Sequence, residues 1–130
     1  MIGNPYQKYQ QSSVQSAPPG QLLVMLYDGA IRFTKAGIEG IESRNYEKAN
    51  HNLQKAQAII HELIASLNFD YPISNNLMQV YEYMLYQLIQ SNTYKKAASA
   101  NEVLGYLMEL RESWAKAARV QTDQAGDQHG

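Results

Sequence analysis

The chain of 130 residues contains no cysteine. That excludes a disulfide framework and thiolate metal sites, and it fits a reducing compartment. Charge of one sign is also missing: eleven Lys and Arg stand against twelve Asp and Glu, a formal net charge of −1. No global basic field is available to hold nucleic acid. Nor does any apolar run approach the roughly 20 residues that cross a bilayer. The N-terminus, MIGNPYQKYQQSSVQ, lacks the apolar centre of a secretory signal. The expectation is a cytoplasmic protein without membrane insertion. Large apolar aromatics are scarce, with two Phe and one Trp, yet Tyr occurs ten times. An apolar ring with a polar tip suits a surface that is both wet and adhesive.

One domain is expected at this length, with enough chain to bury a core. Residues 1–20 form an arm rich in Gln, Ser and Pro, without an acidic residue, that ends in Ala17-Pro18-Pro19-Gly20. Four helical patterns follow this breaker. The first spans about 20–41, with Leu23, Leu26, Ala30, Phe33, Gly37 and Ile41 on one face at about 100° per residue. The second spans about 46–67, with Asn45 as N-cap and a stripe of Tyr46, Ala49, Leu53, Ala56, Ile60, Leu63 and Leu67. The third spans about 73–90, with Leu77, Tyr81, Met84 and Leu88. Ser91-Asn92-Thr93 is expected to break it, and Thr93 to cap a last helix over about 94–117, striped by Val103, Leu107, Leu110 and Trp114. No strand-like alternation competes. The expected fold is all-α: an antiparallel up-down-up-down four-helix bundle over 21–118, with the arm before it and a disordered tail at 119–130.

Catalytic and metal-binding patterns are not found. His51 and His61 lie ten apart on one helix, so they point about 80° apart and sit about 15 Å apart along its axis. His129 belongs to the tail. No Glu-x-x-His pairs face inward, as a di-iron bundle would need. Gly37 and Gly40 lie late in a helix rather than after a strand, which favours close helix contact over a phosphate cradle. Asp28 and Arg32, four apart and acid first, are expected to form a weak surface pair. No enzyme activity and no cofactor are expected.

Two features exceed what a plain bundle requires. On the third helix Met78, Leu85 and Ile89 lie about 80–120° from Leu77, with Tyr86 further round, so the apolar arc exceeds half the circumference. On the first helix Val24, Met25 and Ile31 also fall outside the main stripe. Two accounts fit: a thick core in which each helix touches two neighbours, or an exposed groove that accepts an amphipathic helix. Within the arm, Ile2, Tyr6 and Tyr9 fall at i, i+4 and i+7, the spacing of helix-in-groove anchors, and Pro5 suits a first helical turn. Such an arm could dock on its own bundle until a partner displaces it; a plain disordered terminus is the alternative.

The run Gln21-Leu22-Leu23-Val24-Met25-Leu26-Tyr27-Asp28-Gly29-Ala30-Ile31 resembles the signature of the flagellar secretion chaperones, the FliS family. Further blocks agree in order: Tyr6-Gln7-Lys8-Tyr9, Lys55-Ala56-Gln57-Ala58-Ile59-Ile60, and Leu107-Met108-Glu109-Leu110-Arg111-Glu112-Ser113-Trp114. The likeness covers about residues 4–118. It departs where the family opens its first helix with Ser-Pro, since Pro18-Pro19 stands here. The resemblance implies a helical bundle that binds the disordered C-terminal segment of flagellin. It implies that binding stops premature polymerisation and presents flagellin to the type III export gate. It also implies that the N-terminal tyrosines tuck into part of the binding surface when it is empty. The candidate partner groove is Tyr27, Met78, Leu85, Tyr86 and Ile89, and the candidate gate is Ile2, Tyr6 and Tyr9. Two rivals remain: a bundle enzyme or metal carrier, which lacks its ligands, and a structural bundle that forms a homodimer through its apolar surface.

Overall fold

The computed structural model describes residues 19–129, with side chains over 20–120. Four helices make up these residues: α1 (Pro19–Glu42), α2 (Tyr46–Ala65), α3 (Ile73–Tyr94) and α4 (Ala97–His129). Among the described residues there is no strand. α1 packs on α2 and α4, and α3 closes the ring by packing on the same two. Short turns between successive helices make neighbours antiparallel.

The apolar stripes account for the interior. Leu26, Ala30 and Ile41 of α1 meet Leu53, Ala56, Ile60 and Leu63 of α2, Leu77, Tyr81, Met84 and Leu88 of α3, and Val103 and Leu107 of α4 in one core. Phe33, Leu67, Leu110 and Trp114 pack on its edge, half-buried. Tyr46, expected in the α2 stripe, is exposed instead. It belongs to the first turn of α2, where the end of the bundle leaves one side open to water.

Turn chemistry fixes where each helix stops. Arg44, with φ of 58°, takes the left-handed position after α1. The Asn45 amide then donates to the Gly40 carbonyl at 2.8 Å and the Arg44 amide to Ile41 at 3.1 Å, the paired bonds of a Schellman ending. The Asn45 side chain accepts from the Lys48 amide at 3.1 Å and so caps α2, as its sequence position suggests. Between α2 and α3 the Asn68 carbonyl accepts both the Tyr71 amide and the buried Ser74 hydroxyl.

The last two helices depart from expectation. α3 does not break at Ser91 but runs to Tyr94 and ends on left-handed Lys95, and α4 starts at Ala97. Thr93 is therefore inside α3 and caps nothing. Ser91 is buried, and its hydroxyl accepts the Ala100 amide at 2.7 Å, so the start of α4 is satisfied from the neighbouring helix. Ser and Thr cost only tenths of a kcal/mol inside a helix, and packing overrides that. The α4 backbone stays helical to His129, across the stretch expected to fray. Adding residues to an existing helix is inexpensive compared with nucleating one.

Candidate functional site

The groove candidates on α3 divide into two groups. Met78, Leu85 and Asn92 are seven apart in a row, and Asn92 Nδ2 donates to Asn50 Oδ1 of α2 at 2.8 Å. That row therefore lies along the α2 side of α3. Leu85 is half-buried against the core, Met78 is half-buried, and Ile89 beside them is 47% exposed. Tyr86, 58% exposed, lies further round, toward Tyr83. On α1 the surplus apolar residues mostly join the interior: Ile31 packs on the core, Val24 is half-buried, and only Met25 is exposed. The thick-core account thus describes α1, whereas α3 keeps an apolar strip open to solvent.

Tyr27 is a correction. Expected to line the groove, it is fully buried at 0% exposure. Its hydroxyl lies 2.5 Å from that of Tyr81, across the bundle from α1 to α3. Burial pushes the Tyr27 hydroxyl well above the usual tyrosine range, with Tyr81 adding to the effect and the Trp114 side chain opposing it. Burial also raises Tyr81. Aromatic rings of this size fill the centre of the bundle only if each hydroxyl finds a partner there. Nearby on the same inward side of α1, the buried Thr34 hydroxyl has no hydrogen-bond partner.

This pair carries a stability prediction. Tyr27→Phe strands the Tyr81 hydroxyl in the core and costs about 1–3 kcal/mol, the desolvation penalty of an unpaired buried group. Tyr81→Phe strands the Tyr27 hydroxyl in the same way and falls in the same range. The double variant costs less than the sum, as denaturation of all four proteins would reveal. The pH dependence has a fixed sign. Both hydroxyls hold their protons in the native state above the unfolded value of about 10, so the native state binds more protons there. Their contribution is complete below pH ~10 and is lost as pH rises through the native values, and the double variant loses less.

A second surface, not expected from the sequence, joins α3 to α4. The Tyr83 hydroxyl donates to Glu102 Oε1 at 2.5 Å, and Gln87 Nε2 donates to the same oxygen at 2.7 Å and to the Tyr83 hydroxyl at 3.2 Å. The Tyr83 and Tyr106 rings meet edge to face, 6.3 Å apart and inclined by 73°. The bond to Glu102 pushes the Tyr83 hydroxyl up to about 12, and the bonds from Tyr83 and Gln87 hold the Glu102 carboxyl below its ordinary value. Both shifts describe one proton kept on tyrosine. The available signal was register: 83 with 106 and 87 with 102 have equal sums, as antiparallel neighbours require.

Asp28 also departs from expectation. It pairs with Arg111 of α4 at 2.9 Å, while Arg32 lies over the Phe33 ring at 5.1 Å. The signature aspartate thus ties α1 to α4. Ile2, Tyr6 and Tyr9 lie outside the described residues. His51 and His61 are exposed, and among the described residues no three His, Cys, Asp or Glu are grouped to hold a metal ion. No described helix is long and apolar enough to cross a membrane.

Comparison with known proteins places this arrangement. The family model for flagellar protein FliS matches residues 2–121. The flagellar secretion chaperone FliS of Bacillus subtilis (strain 168) is 40% identical over 129 residues, covering 99% of this chain and 95% of that protein. The FliS chaperone of Salmonella typhimurium is 35% identical over 107 residues, 80% of this chain and 79% of that one. In three dimensions, the crystal structure of a flagellar chaperone from bacteria superposes with a TM-score of 0.73. That match covers 88% of this chain and 94% of the other at 18% identity, a likeness of fold.

Proposed function

This chain belongs to the FliS family of flagellar secretion chaperones, and on that premise we propose that it binds the disordered C-terminal segment of flagellin in the cytoplasm. Binding withholds that segment from polymerisation and delivers it to the flagellar type III export gate. The observation that carries this reading is the apolar strip on α3, where Ile89 is exposed and Met78 and Leu85 are half-buried beside α2. An amphipathic segment that orders on this strip loses chain entropy, offset by the burial of its apolar face. The occupant supplies the covering that the bundle lacks, and no bond is made or broken. In the same reading, Ile2, Tyr6 and Tyr9 of the arm cover part of the strip when flagellin is absent.

Titration calorimetry with the C-terminal segment of flagellin from the same genome tests this. Ile89→Asp should weaken binding by roughly ten-fold or more, about 1.4 kcal/mol. It should leave thermal melting nearly unchanged, because Ile89 is 47% exposed in the free chain. Met108→Asp, at an exposed apolar residue of α4, should leave affinity unchanged. Equal losses in the two variants would overturn the placement. No binding by the parent, together with a sedimenting dimer indifferent to the flagellin segment, would favour the homodimer instead.

A further inference from the structure

The α3/α4 face combines ordered aromatic rings with unbalanced charge. From Ile73 to Tyr94 the only charged residue is Glu82, and from Ala97 to Leu110 the only ones are Glu102 and Glu109. No Lys or Arg occurs in either stretch, although the whole chain carries eleven. Of the two lysines in the turn between them, Lys95 directs its ammonium onto the carbonyl and side chain of Asn92. Glu102 receives only neutral donors, the Tyr83 hydroxyl and the Gln87 amide, so its charge is braced but not cancelled. Among the described residues no ion pair involves it. Tyr83 and Tyr106 remain 43% and 39% exposed while held by each other and by this brace.

We propose that this face is a docking surface for a basic segment of a partner polypeptide, which seats an arginine against the Glu102 carboxylate and the Tyr106 ring. A guanidinium matches both elements, since its planar fork bonds a carboxylate and its face lies on an aromatic ring. One exposed ion pair contributes little. The rings matter more, because they are already ordered and lose little freedom on binding. Glu109 lies seven residues beyond Glu102, about 10 Å along α4, so a second cation two turns along a helical segment is matched as well. Tyr83 keeps the proton it shares with Glu102, so the carboxylate stays anionic at neutral pH. This surface is separate from the α2-side strip, and the proposal stands whether or not flagellin occupies that strip.

The test uses the full chain with 13C-labelled tyrosine rings and two alanine-based helical peptides. One peptide carries two arginines seven residues apart; its twin carries glutamines there. The arginine peptide should shift the Tyr83 and Tyr106 signals saturably, and the twin should not. Glu102→Gln should weaken the binding roughly ten-fold, Tyr106→Ala should weaken it likewise, and added salt should weaken it in the parent. Ile89→Asp, on the other side of α3, should leave it unchanged. All three residues are exposed, so melting curves should confirm folded variants. Equal binding of the twin, an indifferent Glu102→Gln, or shifts confined to other tyrosines would overturn the proposal.

Discussion

Leu53→Ala lowers the stability of the bundle by about 2–5 kcal/mol, read as an earlier urea midpoint with little change in slope. Leu53 is fully buried and faces α1 where that helix carries Gly37. A Cβ at position 37 would lie 2.6 Å from Leu53 Cδ2 and 2.7 Å from Cγ, so the leucine fills the space that any side chain at 37 would need. Truncation leaves a void that glycine has no atoms to refill, which puts the cost high in the range. Leu107→Ala, at an equally buried site in α4, should fall within the same range. Gly37→Ala offers an internal check: harmful in the parent, it should be milder beside Leu53→Ala, where the clash is gone. A loss under about 1 kcal/mol for Leu53→Ala would mean that its methyls are not packed.

Gly40→Ala costs about 2–3 kcal/mol, although alanine is the better helix former by about 1 kcal/mol. The sign follows from what the new methyl would meet. It would lie 2.6 Å from the Ala49 nitrogen, 2.9 Å from the Ala49 Cα and 3.0 Å from the Asn45 oxygen, all backbone of the capped first turn of α2. Backbone cannot rotate aside as a side-chain tip can, so the two helices must separate. Their separation would also disturb the Asn45 amide bond to the Gly40 carbonyl. Gly105→Ala is the matched control. Nothing lies within 4 Å of its added methyl, so propensity alone acts and stability rises by up to about 1 kcal/mol. Thermal melts of the two variants should move in opposite directions. A rise in both would show that α1 and α2 do not approach this closely.

The contrast between the two glycines also shows what periodicity can convey. Gly40 was expected at a helix contact, and it is at one. Ala49, which it meets, and Leu53, which meets Gly37, are small and large members of a regular stripe. Such stripes are local properties of a 3.6-residue helix, and they place a residue on a face without help from the rest of the chain. For the same reason the buried Leu77, Tyr81, Met84 and Leu88 of α3 were legible, as was Asn45, whose capping bond spans three residues.

Long-range partners were not legible. Asp28 has Arg32 one turn away, yet it pairs with Arg111, 83 residues on, because α4 lies beside α1. Tyr27 was expected to line the partner groove, but a hydroxyl from α3 across the bundle makes its burial tolerable. Ser91, read as a breaker, serves as a cap for another helix. Tyr83 and Glu102 meet only because α3 and α4 run antiparallel in one register.

By itself, then, the sequence determined four helices, their inward faces and the likeness to a family, since each of these depends on spacing within a single helix or on a contiguous motif. Only the tertiary structure decided which polar groups meet, which tyrosine is core and which is surface, and where apolar area stays open. Those outcomes depend on which helix lies beside which, and the free energy of burying a polar group is set by the neighbour it finds there.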